Sequence, residues 1–585
     1  MKRIAAARSR KAQRGPALGA FKFGAALLAG AGVWSEAAAQ TSPSQTPPGA
    51  TAVEASPDSR FSFPPAQGLV APVGAEEIGF ALTDIVVEGE YPALESASAA
   101  LEARRAGREV SVAEIYAFAA ELQQAYFAAG YPLARIVVPP QELGGDGRVR
   151  VSVIDGFVEA IDTSQVPAAA RARVERVLAP LVGAERPTRE LIERRVLLAG
   201  DTAGLALSST LTPGGRTGAT VLVLSGAHDA ISGIIVADNR VSDQLGGSQA
   251  TVSVAFNSPF GGGERFYATY AGHPEHQMFN EDARRRYLAL GASIPIGDNG
   301  LTIGVSGDYS SNRPGGDVLA QQLRSEYSRV GVSMSYPLVR SRATTLEARA
   351  DLDIASDIQR TDLGGPPATA LSADRLRVIR FGLQGDSAVF DGARLGYRVG
   401  VSRGLDILDA RTASDATPLK PLSRAGADAE FTALDVSLAF AAPAELGVNF
   451  AVNVRGRYSF QEPLLRSEQF SPAGADGLSG PPPGLMTGDS GVVARATLER
   501  PFGDAKAMAA PYIFGASAAV ALERPSALER GHTGAESFGV GVRFGLGARA
   551  QGGHLVTGLI EWSTVSSRDP ELDREWTRAA IAVRF

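Results

Sequence analysis

Leu446-Gly447-Val448-Asn449-Phe450-Ala451-Val452-Asn453-Val454-Arg455 opens a stretch, running to Phe502, that reads as strand, long loop, strand. Leu446, Val448, Phe450, Val452 and Val454 form an apolar set; Gly447, Asn449, Ala451, Asn453 and Arg455, extended by Arg457, form a small or polar one. Period-two alternation is the mark of a strand with two unlike faces. One wholly apolar face backed by Asn and Arg suits a wall between lipid and water better than a dry core. Between Tyr458 and Val492 the chain carries Ser467-Glu468-Gln469-Phe470, then Pro481-Pro482-Pro483, then Gly488-Asp489-Ser490-Gly491. Loops of that length inside compact units are uncommon and usually functional.

The pattern recurs outward from this stretch. Phe538, Val540, Val542, Phe544 and Leu546 alternate with Gly539, Gly541, Arg543, Gly545 and Gly547. Tight turns are expected at 259–261, 297–300, 337–338, 390–392, 442–443 and 551–553, with long polar loops between them. Short connections on one side and long ones on the other are the asymmetry of an outer-membrane barrel. The sequence predicts about sixteen such strands over 228–585. The last of them places Ala579, Ile581, Val583 and Phe585 on one face, with Arg578 and Arg584 on the other.

The 585 residues contain no cysteine, which excludes disulfides, thiolate metal sites and cysteine nucleophiles. Net charge is −6, and the first 39 residues are basic (Lys2, Arg3, Arg8, Arg10, Lys11, Arg14 and Lys22 against Glu36), so the remainder carries about −12 and generic nucleic-acid binding is not expected. That basic start, an apolar run from Phe23 to Trp34 and Ala37-Ala38-Ala39 have the three parts of a secretory signal, cleaved after Ala39. The run is too short for a spanning helix, and no other run in the chain is long enough. A mature membrane protein with this sequence must therefore be a closed barrel. Residues 40–76, rich in Pro, Ser, Thr and Ala, read as a linker or plug segment.

Residues 77–155 change texture to a small α/β module. Asp84 to Gly89 reads as a strand, and a helical stretch from Ala93 to Arg105 follows. A second helix is punctuated by Ser111 and Glu114 as a capping box and by Gly130 as its stop. Its apolar face, Ile115, Phe118, Ala119, Leu122 and Tyr126, must cover a sheet made from 85–87, 135–138 and 149–153. The order strand, helix, helix, strand, strand recurs over 156–227. The surface expected to meet a partner is Ile115, Leu122 and Tyr126 on that helix with Ile136, Val138 and Gln141 beside it, together with free sheet edges to which an extended chain can add.

Gly130-Tyr131-Pro132, Ile136-Val137-Val138-Pro139-Pro140-Gln141 and Val149-Arg150-Val151-Ser152-Val153-Ile154-Asp155-Gly156 resemble the polypeptide-transport-associated (POTRA) repeat of the two-partner secretion transporters, outer-membrane proteins of the Omp85 superfamily. With Ser467-Glu468-Gln469-Phe470 and Gly488-Asp489-Ser490-Gly491 the resemblance covers roughly 77–585. It implies a membrane β fold: two periplasmic POTRA-like modules before a transmembrane barrel of about sixteen strands. It also implies a protein-conducting pore for haemolysin- or adhesin-type exoproteins, with outer-membrane lipid and the barrel-assembly machinery as further partners, no cofactor and no nucleotide. The loop after strand eleven, about 459–491, is implied to fold into the lumen as a constriction, with Ser467, Glu468, Gln469, Phe470, Asp476 and Asp489 as its marked residues. Val583 and Phe585 resemble the terminal signal for barrel assembly. Runner-up readings are an insertase of the same superfamily and a small-solute porin.

Other constellations are weaker. Gly488-Asp489-Ser490-Gly491 is the kind of string that surrounds a protease serine, but none of the five histidines sits in a protease-type motif. His273-Pro274-Glu275-His276 reads as a solvated loop before it reads as a metal site. Gly539, Gly541 and Gly545 fit small inward positions of a strand rather than a nucleotide loop. Arg329, Arg380, Arg455, Arg457, Arg495 and Arg543 all fall on the polar parity and hence in the lumen, either solvating it or facing a passing chain. Relatives carry a Val-Arg-Gly-Tyr/Phe tip whose Arg meets a wall Asp. Here Asp476-Gly477-Leu478-Ser479-Gly480 and Tyr512 to Ser517 lack both partners. The loop is therefore expected to be held by neutral contacts near Ala516, with Arg466 or Asp476 as alternative locks.

Overall fold

The computed structural model describes residues 60–61 and 70–585, apart from 144, 275–278, 281–282, 316–322, 363–367, 391, 505, 528 and 549–553. The expected signal segment, most of the linker, His276 and the turn at 551–553 lie outside the described residues.

The first α/β unit is built from β2 (Gly79–Leu82), β3 (Asp84–Glu88), α1 (Glu95–Glu102), β4 (Arg108–Ser111), α2 (Val112–Ala128), β5 (Arg135–Val137) and β6 (Arg148–Ile154). Its sheet runs β3-β6-β5, with β3 parallel and β5 antiparallel to β6; β2 and β4 form a separate pair. The Ser111–Glu114 capping box closes the start of α2 and Gly130 sits at φ 92° beyond its end. The Ser111 N–H, then the Arg108 guanidinium, hold the Glu114 carboxyl below the usual range. Ile115, Leu122, Tyr126 and Ile136 belong to the core with Phe118, Val149 and Val151. At most 2% exposed, they have no side chain to offer a partner, which corrects that expectation. Val138 packs against the same core. Gln141 is also structural. Its side chain accepts from Arg150 N and donates to Arg150 O, both at 2.8 Å, and so continues the pairing of β6 beyond the end of β5. The buried Gln123 side chain likewise serves Ala134 O and Ile136 N.

The second unit repeats the plan with β7 (Phe157–Gln165), α3 (Ala168–Leu178), α4 (Arg189–Gly200), β8 (Leu205–Pro213) and β9 (Ala219–His228). Its sheet order is β1-β8-β9-β7, the two-residue β1 (Arg60–Phe61) adding in parallel to β8. The helices sit on the barrel rim: Arg173, Arg195 and Arg194 donate to the carbonyls of Gly297, Asp298 and Asn299, and Arg340 pairs with Asp201 at 2.6 Å.

The remaining chain is one antiparallel sheet closed on itself: β10 (Ile231–Asp238), β11 (Gln249–Asn257), β12 (Arg265–Gly272), β13 (Arg285–Ile296), β14 (Leu301–Asn312), β15 (Leu323–Arg340), β16 (Thr344–Thr361), β17 (Thr369–Phe390), β18 (Ala393–Gly404), β19 (Thr432–Pro443), β20 (Asn449–Tyr458), β21 (Ser490–Glu499), β22 (Phe502–Gly503), β23 (Ala507–Ala521), β24 (His532–Ala548), β25 (His554–Ser567) and β26 (Glu575–Arg584). With the short β22 continuing β21, the wall has sixteen strands. A barrel of that size leaves an interior too wide for side chains alone to fill. Burial is inverted relative to a soluble sheet. Phe538, Val540, Val542 and Leu546 are exposed on the outside, while Ser537 and Gly539 face inward. Gly539, Gly541 and Gly545 leave room for Phe514, Tyr512 and His554, whose rings lie where a Cβ would go.

Three boundaries differ from expectation: the turn expected at 442–443 falls at 444–448, since Ala442 and Pro443 still pair with Phe450 and Asn449. Leu446 lies in a one-turn 3-10 helix at φ 61° and is 84% exposed, so β20 begins at Asn449. The alternation simply ran on past the end of the strand. Pro337-Leu338 is not a turn. The register shifts between Pro337 and Val339, and such a bulge tolerates a proline that has no ladder N–H to give, so β15 continues to Arg340. At the seam β26 returns to β10, Val583 opposite Ile235, and the Phe585 and Gly233 backbones exchange both bonds. The Phe585 ring occupies the place where a Cβ on Gly233 would stand, at 2.3 Å.

Candidate functional site, the loop across the barrel interior

The connection from Ser459 to Asp489 turns inward, and its contacts reach wall strands from β17 round to β26. Its first part is held by carboxylates. Glu468, 1% exposed, places Oε1 2.8 Å from the Arg380 guanidinium of β17 and Oε2 3.9 Å from Arg457 of β20. These pairs continue along the wall, because Arg380 also binds Asp353, Asp353 binds Arg329, Arg329 binds Asp308, and Arg457 binds Asp435. The lumen arginines are thus largely neutralised by acids on neighbouring strands. Arg543 pairs with Glu499 in the same way.

Asp489, fully buried at the end of the loop, accepts from Leu464 N (3.0 Å), Gln469 Nε2 (3.3 Å), Glu523 N (2.6 Å) and the Arg424 guanidinium. Arg424 comes from the 405–431 loop and Glu523 from the 522–531 loop, so one carboxylate joins three connections on one end of the barrel. Glu529 stands 3.6 Å from Arg424. The Ser526 N–H, the largest of several contributions, holds the Glu529 carboxyl below its usual range. An apolar cluster containing Leu422, Phe431, Leu464 and Leu465 lies beneath. Ser467 is buried and Phe470 packs with Leu478, Met486 and Val493. Ser490 contacts Ser459 through its hydroxyl, and no histidine takes part.

The tip is held differently. Arg455 donates to Pro472 O (3.4 Å) and Ala473 O (3.3 Å). Arg495 donates to the Ser479 hydroxyl (2.7 Å) and reaches Gly477 O (3.5 Å). Arg578 donates to Ser479 O (3.2 Å) and to Gly480 O. The Ser479 hydroxyl in turn donates to Glu561, which pairs with Arg495 at 2.8 Å and accepts from the Tyr512 hydroxyl at 2.8 Å. The expectation of a loop held by neutral contacts near Ala516 is corrected for the loop's first part. The tip itself bears no ion pair among the described residues, but it sits on a wall pair, Arg495–Glu561, and the loop's first part is salt-bridged through Glu468. Ala516 lies opposite Arg495 in the ladder, and Arg466 serves through its backbone N–H to Ser423. Asp476 makes no ion pair among the described residues and adds only longer-range attraction to Arg455.

Sequence reasoning marked Glu468, Asp489, Arg455, Arg457 and Arg495, placed Arg578 on a polar face without giving it a role, and missed Arg424 and Glu561. The signal at Glu561 and Arg578 is parity, since both interrupt otherwise small or apolar strands, but the partner each meets depends on barrel register. His273 Nδ1 donates to the carbonyl of Ser248 at 2.8 Å, in the neighbouring connection between β10 and β11, and no group of three or more side chains that could hold a metal occurs among the described residues.

Residues 218–542 match the family described as haemolysin secretion/activation protein ShlB/FhaC/HecB, and residues 80–156 match the POTRA domain, ShlB-type. The heme/hemopexin transporter protein HuxB of Haemophilus influenzae (strain 86-028NP) is 23% identical over 237 residues, 40% of this chain and 40% of that protein. The HuxB proteins are thus matched over less than half their length. CdiB from Escherichia coli has a similar fold, with a TM-score of 0.68 and 18% identity over 88% of this chain and 92% of that one. CdiB from Acinetobacter baumannii gives 0.61 and 13% over 91% and 95%.

Proposed function

The chain belongs to the haemolysin secretion/activation protein ShlB/FhaC/HecB family, and on that footing we propose that it is an outer-membrane pore for an unfolded exoprotein. The exoprotein, of haemolysin or adhesin type, is captured in the periplasm and passed through the barrel to the cell surface. The observation that carries this reading is the 459–489 loop, which crosses a sixteen-strand interior and meets the wall at its tip on polar contacts that another chain can replace. A small-solute porin has no use for two α/β units seated on the rim. Capture rests on strand addition rather than on the helix face, because that face is internal. In the first unit β3 is an edge strand of its sheet, while Gln123 and Gln141 already occupy backbone positions elsewhere in it. No bond is made or broken in this reading, and translocation runs without a nucleotide. Lipid meets the exposed apolar belt, and the Val583–Phe585 end is what the barrel-assembly machinery reads.

The test is depletion of the chain from cells that also express a secreted exoprotein of haemolysin or adhesin type. The exoprotein should accumulate in the periplasm while other outer-membrane barrels keep their levels. A general fall in those barrels would replace the export reading with that of an insertase.

A further inference from the structure

Arg455 on β20, Arg495 on β21 and Arg578 on β26 share a feature that the other lumen arginines lack: each is directed at the loop tip, mostly at main-chain oxygens. Five carbonyls and one hydroxyl, between Pro472 and Gly480, are their tip acceptors. Neither Arg455 nor Arg578 has a carboxylate within ion-pair distance among the described residues; Arg578 adds a further carbonyl, Asn239 O at 2.6 Å. Arg495 keeps Glu561. Arg495 and Arg578 are almost wholly buried under the tip, and Trp576 lies against Gly480.

We propose that these three guanidinium groups form a binding site for the main-chain carbonyls of an extended polypeptide, and that the loop tip occupies it as a built-in ligand. The inference rests on the export reading and deepens it by naming what the lumen recognises. The acceptors used by the tip belong to the backbone, to a serine and to glycines. A site satisfied by them makes no demand on side-chain sequence. Guanidinium presents several N–H donors in a fixed fork and stays charged, which suits a run of carbonyls on an extended chain. Withdrawing the tip strips these cations of their acceptors, and an uncompensated buried charge is costly. The tip therefore leaves readily only when equivalent oxygens replace it. An entering polypeptide supplies them, so its binding and the exit of the tip become one exchange, each favouring the other.

The experiment uses the full chain in planar bilayers with two unfolded 30-residue probes, one of Gly, Ser, Thr and Asn only, the other with half its residues changed to Glu. Single-channel blockades are timed for the parent, Arg455→Gln and Arg578→Gln. The expected result is a roughly tenfold shorter dwell for both probes in each variant. Arg455→Lys and Arg578→Lys retain charge and give a roughly threefold loss; they carry the test if the glutamine barrels do not assemble. An effect confined to the acidic probe overturns the proposal in favour of a side-chain carboxylate site, and unchanged dwell times overturn it outright. Should the probes behave as expected while cells with the intact chain export nothing, the carbonyl site stands and the export reading falls.

Discussion

The ends and the tip of the inward loop are fixed by different physics. Near its start and finish the loop invests carboxylates: Glu468 against Arg380 and Arg457, Asp489 against Arg424 and three further donors. At its tip it offers only neutral oxygens to charged wall groups. Removing a carboxylate from a buried pair leaves a stranded cation, whereas a carbonyl can be exchanged for another chain's carbonyl at little net cost. The difference fits the exchange proposed above, with the tip as the exchangeable part and the ends as its hinges.

The hardest blow to this contrast is Asp489→Asn. It leaves Arg424 with only the more distant Glu529 carboxylate and loosens three loops at once, at a cost of up to about 3–5 kcal/mol. The expected outcome is a lower thermal unfolding temperature of the purified barrel and new protease cleavage in 405–431 and 522–531. Glu468→Gln is expected to do less, since Arg380 keeps Asp353 and Arg457 keeps Asp435. A loss of about 1–3 kcal/mol, the desolvation penalty of the groups left unpaired, follows, seen as more frequent openings in single-channel recordings. Ser479→Ala removes one hydroxyl shared by Arg495 and Glu561, which still hold each other. It should cost about 1 kcal/mol and raise open probability a few-fold without changing the unfolding temperature. If it destabilised the barrel as much as Asp489→Asn, the tip would not be the exchangeable end.

The smallest effect lies outside the barrel. The native Glu114 carboxyl is held below its ordinary value, so its contribution to the first α/β unit is present above the unfolded pKa and is lost as pH falls through the folded one. Glu114→Gln should flatten the acid limb of that unit's hydrogen-exchange stability and leave neutral-pH conductance unchanged.

Much of the fold was legible because the barrel writes itself in period two. Phe538 to Leu546 on one parity and Gly539 to Gly547 on the other require a wall, whatever the order of strands. The capping box at Ser111 and Glu114 was legible for the same local reason. What failed was anything needing to know what covers a face. The α2 stripe was visible, but a stripe does not say whether its own sheet or a partner buries it; here the sheet does, so Ile115, Leu122 and Tyr126 are core. Glu468 and Asp489 stood in marked motifs, yet their partners lie 88 and 65 positions away and are brought to them only by barrel register and by the fold of the 405–431 loop. At the tip an ion pair to the wall was expected to be missing, and none occurs among the described residues; what could not be read is the wall pair beneath it, Arg495 and Glu561, which only barrel register brings together.

The cysteine-free chain allows the central claim to be tested with single thiols. Leu478→Cys places a thiol at the buried tip and Leu464→Cys places one at the buried start of the loop beside Asp489. Labelling by a membrane-impermeant maleimide is compared in resting cells and in cells with the exoprotein stalled in transit. The prediction is that position 478 goes from protected to labelled while position 464 stays protected. Equal labelling of both, or continued protection of 478 during transit, would contradict a tip that exchanges with the passing chain on fixed ends.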